Sequence, residues 1–260
     1  MKMTIRYNST TYNIDLNTGI DISIPVNFNE NLNPKFYDTS YPQRQYYKEG
    51  NREYNIKKGA GCNVPMITMN IHCSGTHTET ANHIINDAPM ISDIDNLNFI
   101  PSQLISVNPE INSNEKYHAD SDDGDRVITK NQLEKLINPN TFTESIIIRT
   151  NPNDIDKKIK NYNSYHHPYL SNEAIEYLKE IKVKHIVIDT PSIDKYNDGG
   201  KLGNHKIFFT NNDNSTNHNT VTELAFIPNE CTDGKYFLCI GVPNFKLDAA
   251  PSKPIIYKVN

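Results

Sequence analysis

In MITMNIH, residues 66–72, apolar and polar side chains alternate, with Ile67, Met69 and Ile71 on one side and Thr68, Asn70 and His72 on the other. This period predicts a half-buried strand that ends at His72 on its polar face. Ser74-Gly75 then turns the chain, and an extended segment resumes with His77 and Glu79 two apart, on one side. The period changes in RVITKNQLEKLINPN, where Thr129 is followed three residues on by Gln132 and then by Leu133, Leu136 and Ile137, with Asn138-Pro139 as a stop. SIIIRT, residues 145–150, is a short apolar run typical of a buried strand. In LSNEAIEYLKEIKVKHIVIDTPS, Ser171 caps a helix that puts Ala174, Ile175, Leu178 and Ile181 on one face, and a buried strand follows over 185–189. Strand, helix, strand in that order predicts a parallel crossover. KYFLCIGVPNF, 235–245, is a further strand. The elements add up to one α/β domain over residues 1–260, a mixed sheet with flanking helices.

Composition narrows the function classes. With 36% hydrophobic and 22% charged residues, the 260-residue chain is globular rather than disordered. A net charge of −5 offers no footprint for nucleic acid, and no apolar run reaches signal-peptide or membrane-spanning length. Cys62, Cys73, Cys231 and Cys239 show no CxxC spacing, which fits reduced thiols in a cytoplasm. The polar stretches 112–125 and 210–220 are expected to be surface loops.

The chemistry concentrates in IHCSGTHTETANHII, residues 71–85. His72, His77 and His83 fall within twelve residues, where the chain average gives about 0.4 histidine. Imidazole and carboxylate are the ligand set of zinc, and also suit manganese or iron. Elsewhere, His118 and His218 sit in polar stretches and are expected to be solvated, and His185 opens a buried strand as a satisfied core histidine. His166 and His167 precede Pro168 in a loop, His205 follows a glycine-rich turn, and Glu223 is a lone acid among apolar residues that needs a partner. No G-x-S-x-G is present, and GAGCNV lacks the spacing of a phosphate loop.

HCSGTHTETANH resembles the signature His-x-Gly-Thr-His-x-Asp-x-Pro-x-His of the cyclase family of metal-dependent hydrolases, which includes kynurenine formamidase and isatin hydrolase. GIDISIPVNF, the helix and strand end reaching IDTPSID, KLGNHK, TELAFIP and GVPNFKLDAAPSKPII resemble further blocks of that family, in its order. The resemblance implies a barrel-like α/β fold of the swivelling β/β/α type. It makes His72, His77 and Glu79 ligands of a first metal, and Glu79, His205 and Glu223 ligands of a second. The catalytic residues would be His83, as acid and base, and Glu79, with Asp189, Thr190 and Ser192 as supporting residues nearby. It implies zinc or manganese, one or two ions, and cleavage of a C–N amide bond in a small molecule, as in the arylformamidases of tryptophan catabolism. A cyclic amide hydrolase or a non-catalytic binding protein are the alternatives, and a homodimer or homotetramer is the implied assembly. Four departures mark a variant site: one extra residue between His72 and Gly75, Glu79 for aspartate, Ala81 for proline, and about six extra residues between His205 and Glu223.

Overall fold

The structure, a computed structural model, describes residues 1–111, 113–139, 142–164 and 166–259. Residue 112, which opens the first polar stretch, lies outside the described residues. Nine strands form the main sheet: β1 (Ile20–Asp21), β2 (His77–Glu79), β3 (Ile100–Val107), β4 (Ser145–Thr150), β5 (His185–Ile188), β6 (Thr220–Glu223), β7 (Gly234–Gly241), β8 (Ala249–Pro251) and β9 (Lys253–Lys258). Their order across the sheet is β8-β2-β6-β5-β4-β3-β7-β9-β1. The four strands β3, β4, β5 and β6 run parallel, and antiparallel strands flank them on both sides. The sheet curls into a half-barrel, a mixed α/β arrangement of the kind expected.

Three helices cover one face: α1 (Lys130–Leu136), α2 (Asn172–Glu180) and α3 (Gly203–Phe209). The apolar run 145–150 explains why both faces are covered. Ile146 and Ile148 pack with Leu133, Ile175, Leu178, Phe208 and Phe209 on the helical side. Ile147 points the opposite way, against Leu104, Val187, Tyr236 and Leu238. Buried on both faces, a parallel strand reads as continuous hydrophobicity rather than alternation. The caps foreseen in the sequence form: Thr129 Oγ1 accepts from Gln132 N at 3.2 Å, and Ser171 Oγ accepts from Ala174 N at 2.9 Å. The parallel crossover from β4 through α2 to β5 is present.

Two expectations need correction. The strand foreseen up to His72 stops at Thr68; Pro65–Thr68 is exposed and pairs with Gln43–Tyr46 in a separate ribbon. Residues 69–76 are turn, bend and irregular backbone, and the chain joins the main sheet only over the three residues of β2. The stretch 112–125 is not simply a surface loop. Glu115 accepts from the first backbone amides of α1 and from Ser171 Oγ, and Tyr117 and His118 turn inward. Asn211–Asn219 is the loop expected. The four cysteines are free thiols, and among the described residues no helix is long and apolar enough to cross a membrane.

Candidate metal centre

β2 is buried throughout and lies between β6 and β8. Alternation along it sends His77 and Glu79 to one side, while Thr78 faces the other and bonds Thr222 Oγ1 at 2.7 Å. The register places Glu223 of β6 opposite His77 and Ala249 of β8 opposite Glu79. At the end of β6, Leu224 takes a left-handed backbone, φ 52°, which a β-branched or bulky residue adopts only when its surroundings enforce it. Here they do: Leu224 N donates to Thr190 O at 2.9 Å, and its carbonyl accepts from Thr76 Oγ1 at 2.5 Å. The fourth element is α3, whose first turn carries His205. Gly203 is required there, since a Cβ would lie 2.1 Å from the His118 ring.

These elements bring all six proposed residues together: His72, His77, Glu79, His83, His205 and Glu223. His77, Glu79, His205 and Glu223 form a buried floor, each at most 3% exposed. His205 Nε2 lies 2.5 Å from Glu79 Oε1 and 3.5 Å from Glu223 Oε1, and His77 Nε2 lies 3.5 Å from Glu223 Oε2. Above them is a half-buried rim. His72 Nδ1 is 3.1 Å and His83 Nε2 3.8 Å from Glu79 Oε2, and the two rings stack with centroids 4.2 Å apart.

The hydrogen bonds on the far side of each floor imidazole fix its tautomer. His77 Nδ1 donates to Gly75 O at 3.1 Å, and His205 Nδ1 to Asp194 Oδ2 at 2.6 Å, which turns both Nε2 atoms inward. Asp194 was missed as a site residue. It is held by Tyr117 Oη at 2.8 Å and by the backbone amides of Asn204 and His205. The second residue missed is Asp248, whose Oδ2 lies 3.0 Å from His72 Nε2 and 3.1 Å from His83 Nδ1. Both aspartates stand in family-like blocks, IDTPSID and DAAPSKP, so a signal existed.

The charges fit a cation. Burial works against ionised Glu79, but the imidazoles of His205 and His83 outweigh it and hold the carboxyl well below its ordinary value. Burial and the charge of Glu79 push Glu223 up, yet its contacts with His205 and His77 leave it lowered. His205 is opposed by burial and raised well above the usual imidazole value by Glu79, Asp194 and Glu223. His72 likewise rises against burial to about 10, through Asp248 and Glu79. Two buried carboxylates thus draw positive charge into the floor, and a divalent ion competes with protons for it. His72 Nδ1, His77 Nε2, Glu79 Oε1 and His205 Nε2 are buried without a well-formed hydrogen bond. His72, His77 and Glu79 form one group whose ligand atoms lie within 4.8 Å of one another, and Glu79, His205 and Glu223 form another. The donor set fits a divalent metal ion.

The supporting residues divide. Thr190 reaches the site through its carbonyl on Leu224, and Ser192 Oγ accepts from Asp194 N at 3.1 Å. Asp189 does not touch the site: its carboxylate binds the buried Lys157 Nζ at 2.8 Å and Thr150. It leaves β5 on the side away from the floor. His118 is not solvated but held by Asp198 at 3.2 Å, and packs on Tyr117. His185 is a satisfied core histidine on Thr220 Oγ1 at 2.9 Å, and His218 is exposed. His167 is buried on the Pro168 carbonyl, and His166 stacks on Tyr196.

Comparison with curated protein sequences finds no match. Among solved structures, an isatin hydrolase bound to the product analogue thioisatinate is similar over 94% of this chain and 93% of its own, at 13% identity and TM-score 0.64. Isatin hydrolase A from Labrenzia aggregata, bound to benzyl benzoate, gives 92% and 93%, 14% identity and TM-score 0.63. A "predicted metal-dependent hydrolase from Bacillus stearothermophilus" gives 92% and 98%, 17% identity and TM-score 0.60. These likenesses establish a shared fold with hydrolases. The sequence profile of the family described as "Putative cyclase" matches residues 20–195, more than half of the chain. The protein therefore belongs to that cyclase family.

Proposed function

We propose that this protein is a metal-dependent hydrolase that cleaves the C–N bond of a small aromatic amide, as an arylformamidase does. The observation that carries this function is the opening of a buried floor of ligand atoms directly onto His83, which remains 24% exposed. His72, His77 and Glu79 would hold one ion and Glu79, His205 and Glu223 a second, zinc or manganese. The bound metal supplies a Lewis acid for a carbonyl oxygen and brings the pKa of water towards about 7. His83 accepts a proton from the attacking water at Nε2 and returns it to the nitrogen as the C–N bond breaks. Glu79 keeps the metal and His83 in reach of one another, with Oε1 on the floor and Oε2 at the rim. An aromatic wall supports an aromatic substrate: Phe36, Tyr37 and Tyr196 pack together beside Cys73 and Leu224, the neighbour of Glu223. The isatin hydrolases among the similar folds favour a cyclic amide as the second substrate form. The protein would work in a cytoplasm as a homodimer or homotetramer, which light scattering tests.

Metal content and formanilide hydrolysis, measured on the same preparations, test the roles. His77→Ala should lose metal, and His83→Ala should keep it while turning over about 10²- to 10⁴-fold more slowly. Equal metal loss in both variants would make His83 a ligand. Bound metal without hydrolysis of any formanilide, ester or cyclic amide would leave a binding protein.

A further inference from the structure

We infer that Asp248 is a positioning residue for the acid/base step, fixing the tautomer of His83 and tying that ring to the ligand His72. The inference rests on the hydrolase function proposed above, and on a geometry that function did not use. A carboxylate only accepts hydrogen bonds, and a neutral imidazole carries one N–H. Asp248 Oδ2 faces His83 Nδ1 at 3.1 Å and His72 Nε2 at 3.0 Å. Those are therefore the protonated nitrogens. His83 Nε2, 3.8 Å from Glu79 Oε2 and beyond hydrogen-bond reach, keeps the lone pair, whereas both nitrogens of His72 face carboxylates, Nδ1 lying 3.1 Å from Glu79 Oε2. One carboxylate oxygen thus turns the lone pair of His83 inward and holds the His72 ring beside it.

The fold puts Asp248 there across a gap of 165 residues from His83. It directly precedes β8, whose Ala249 lies opposite Glu79, and its carbonyl accepts from both Thr80 N at 3.0 Å and Thr80 Oγ1 at 3.1 Å. Its backbone is clamped to the residue after Glu79, so the carboxylate meets both rings without a search. Ala249 and Ala250, both fully buried, let the two strands approach.

Two substrates separate positioning from structure. An anilide needs a proton on its leaving nitrogen, whereas 4-nitrophenolate leaves without one. Wild type, Asp248→Asn, Asp248→Ser, His83→Ala and the double variant H83A/D248N are assayed as metal-loaded enzymes on formanilide and 4-nitrophenyl acetate. Both single Asp248 variants should lose about 10- to 100-fold in kcat on the anilide and much less on the ester. In the His83→Ala background, Asp248→Asn should cost much less than it does in wild type, the remainder being its hold on His72. Equal losses on both substrates, or full additivity in the double variant, would overturn the inference. Selective anilide loss in His83→Ala but in neither Asp248 variant would sink it while sparing the acid/base role. A His83→Ala enzyme that keeps wild-type rates on both substrates, or a wild type that hydrolyses neither, overturns both.

Discussion

Replacing Asp194 by asparagine changes one atom of a residue that offers no ligand atom to the floor, yet it should weaken metal binding. Asp194 is 1% exposed and accepts four hydrogen bonds: Tyr117 Oη and Asn204 N on Oδ1, His205 N and His205 Nδ1 on Oδ2. An amide oriented to keep the Oδ1 pair turns its NH₂ group onto two donors of His205. The imidazole escapes by moving its proton to Nε2, the atom 2.5 Å from Glu79 Oε1 that has to offer a lone pair. Loss of such a partner costs about 10- to 100-fold in metal affinity, roughly 1.4 to 2.8 kcal/mol. The metal-free protein should also lose about 1 to 3 kcal/mol, for donors left buried without an acceptor. Tyr117→Phe is the control, since it removes one donor and leaves the Oδ2 pair intact; it should cost about 0.5 to 1.5 kcal/mol of stability and little affinity. Competition of zinc against a chromophoric chelator measures the first quantity, and urea unfolding the second. A folded Asp194→Asn protein that binds zinc within twofold of wild type would refute the link between Asp194 and the His205 tautomer.

Two further outcomes test the surroundings. Asp189→Leu strands the buried Lys157 ammonium, and should cost about 3 to 5 kcal/mol in urea unfolding while metal content stays at the wild-type level; metal loss at unchanged stability would return Asp189 to the site. His185 is held neutral by burial, with its pKa pulled down to about 4. The unfolded chain protonates this ring near pH 6.5, so its share of stability is complete above that pH and falls as pH drops towards 4, by about 3 kcal/mol in all. His185→Gln should flatten that part of the acid limb, and a wild-type-to-variant difference independent of pH between 7 and 4 would contradict the assignment.

What the sequence disclosed follows the range of the forces involved. The buried strand 145–150, the capped helices and the crossover rest on neighbours within a few residues, and each appears as expected. MITMNIH alternates just as clearly, but its pairing is set by Gln43–Tyr46, more than twenty residues upstream, and Met66 and Ile67 stay exposed. Periodicity reports the backbone's preference and not which face finds a partner. The candidate ligands His72, His77 and Glu79 were legible because imidazoles and a carboxylate cluster in HCSGTHTETANH. Asp194 and Asp248 were harder, because each acts on an atom of another residue and carries no spacing of its own. The same blindness made Asp189 look like a site residue: adjacent to Thr190 in sequence, it leaves the strand in the opposite direction to the floor.

Two departures from the family signature compensate each other. Cys73, in the segment that carries the extra residue before Gly75, turns into the cluster of Phe36, Tyr162 and Leu224, and His72 stands on the rim, 26% exposed. A histidine on the rim meets the floor only through a carboxylate that reaches outward. Glu79 provides it: Oε1 stays 2.5 Å from His205 on the floor, while Oε2 extends to His72 at 3.1 Å and towards His83 at 3.8 Å. An aspartate, shorter by one C–C bond of about 1.5 Å, could serve the floor or the rim from the same backbone position, but not both. Asp248 holds His72 from the other edge of the ring, 3.0 Å from Nε2. The longer acid and the added residue form a matched pair, and reverting either one alone should damage the site more than reverting both.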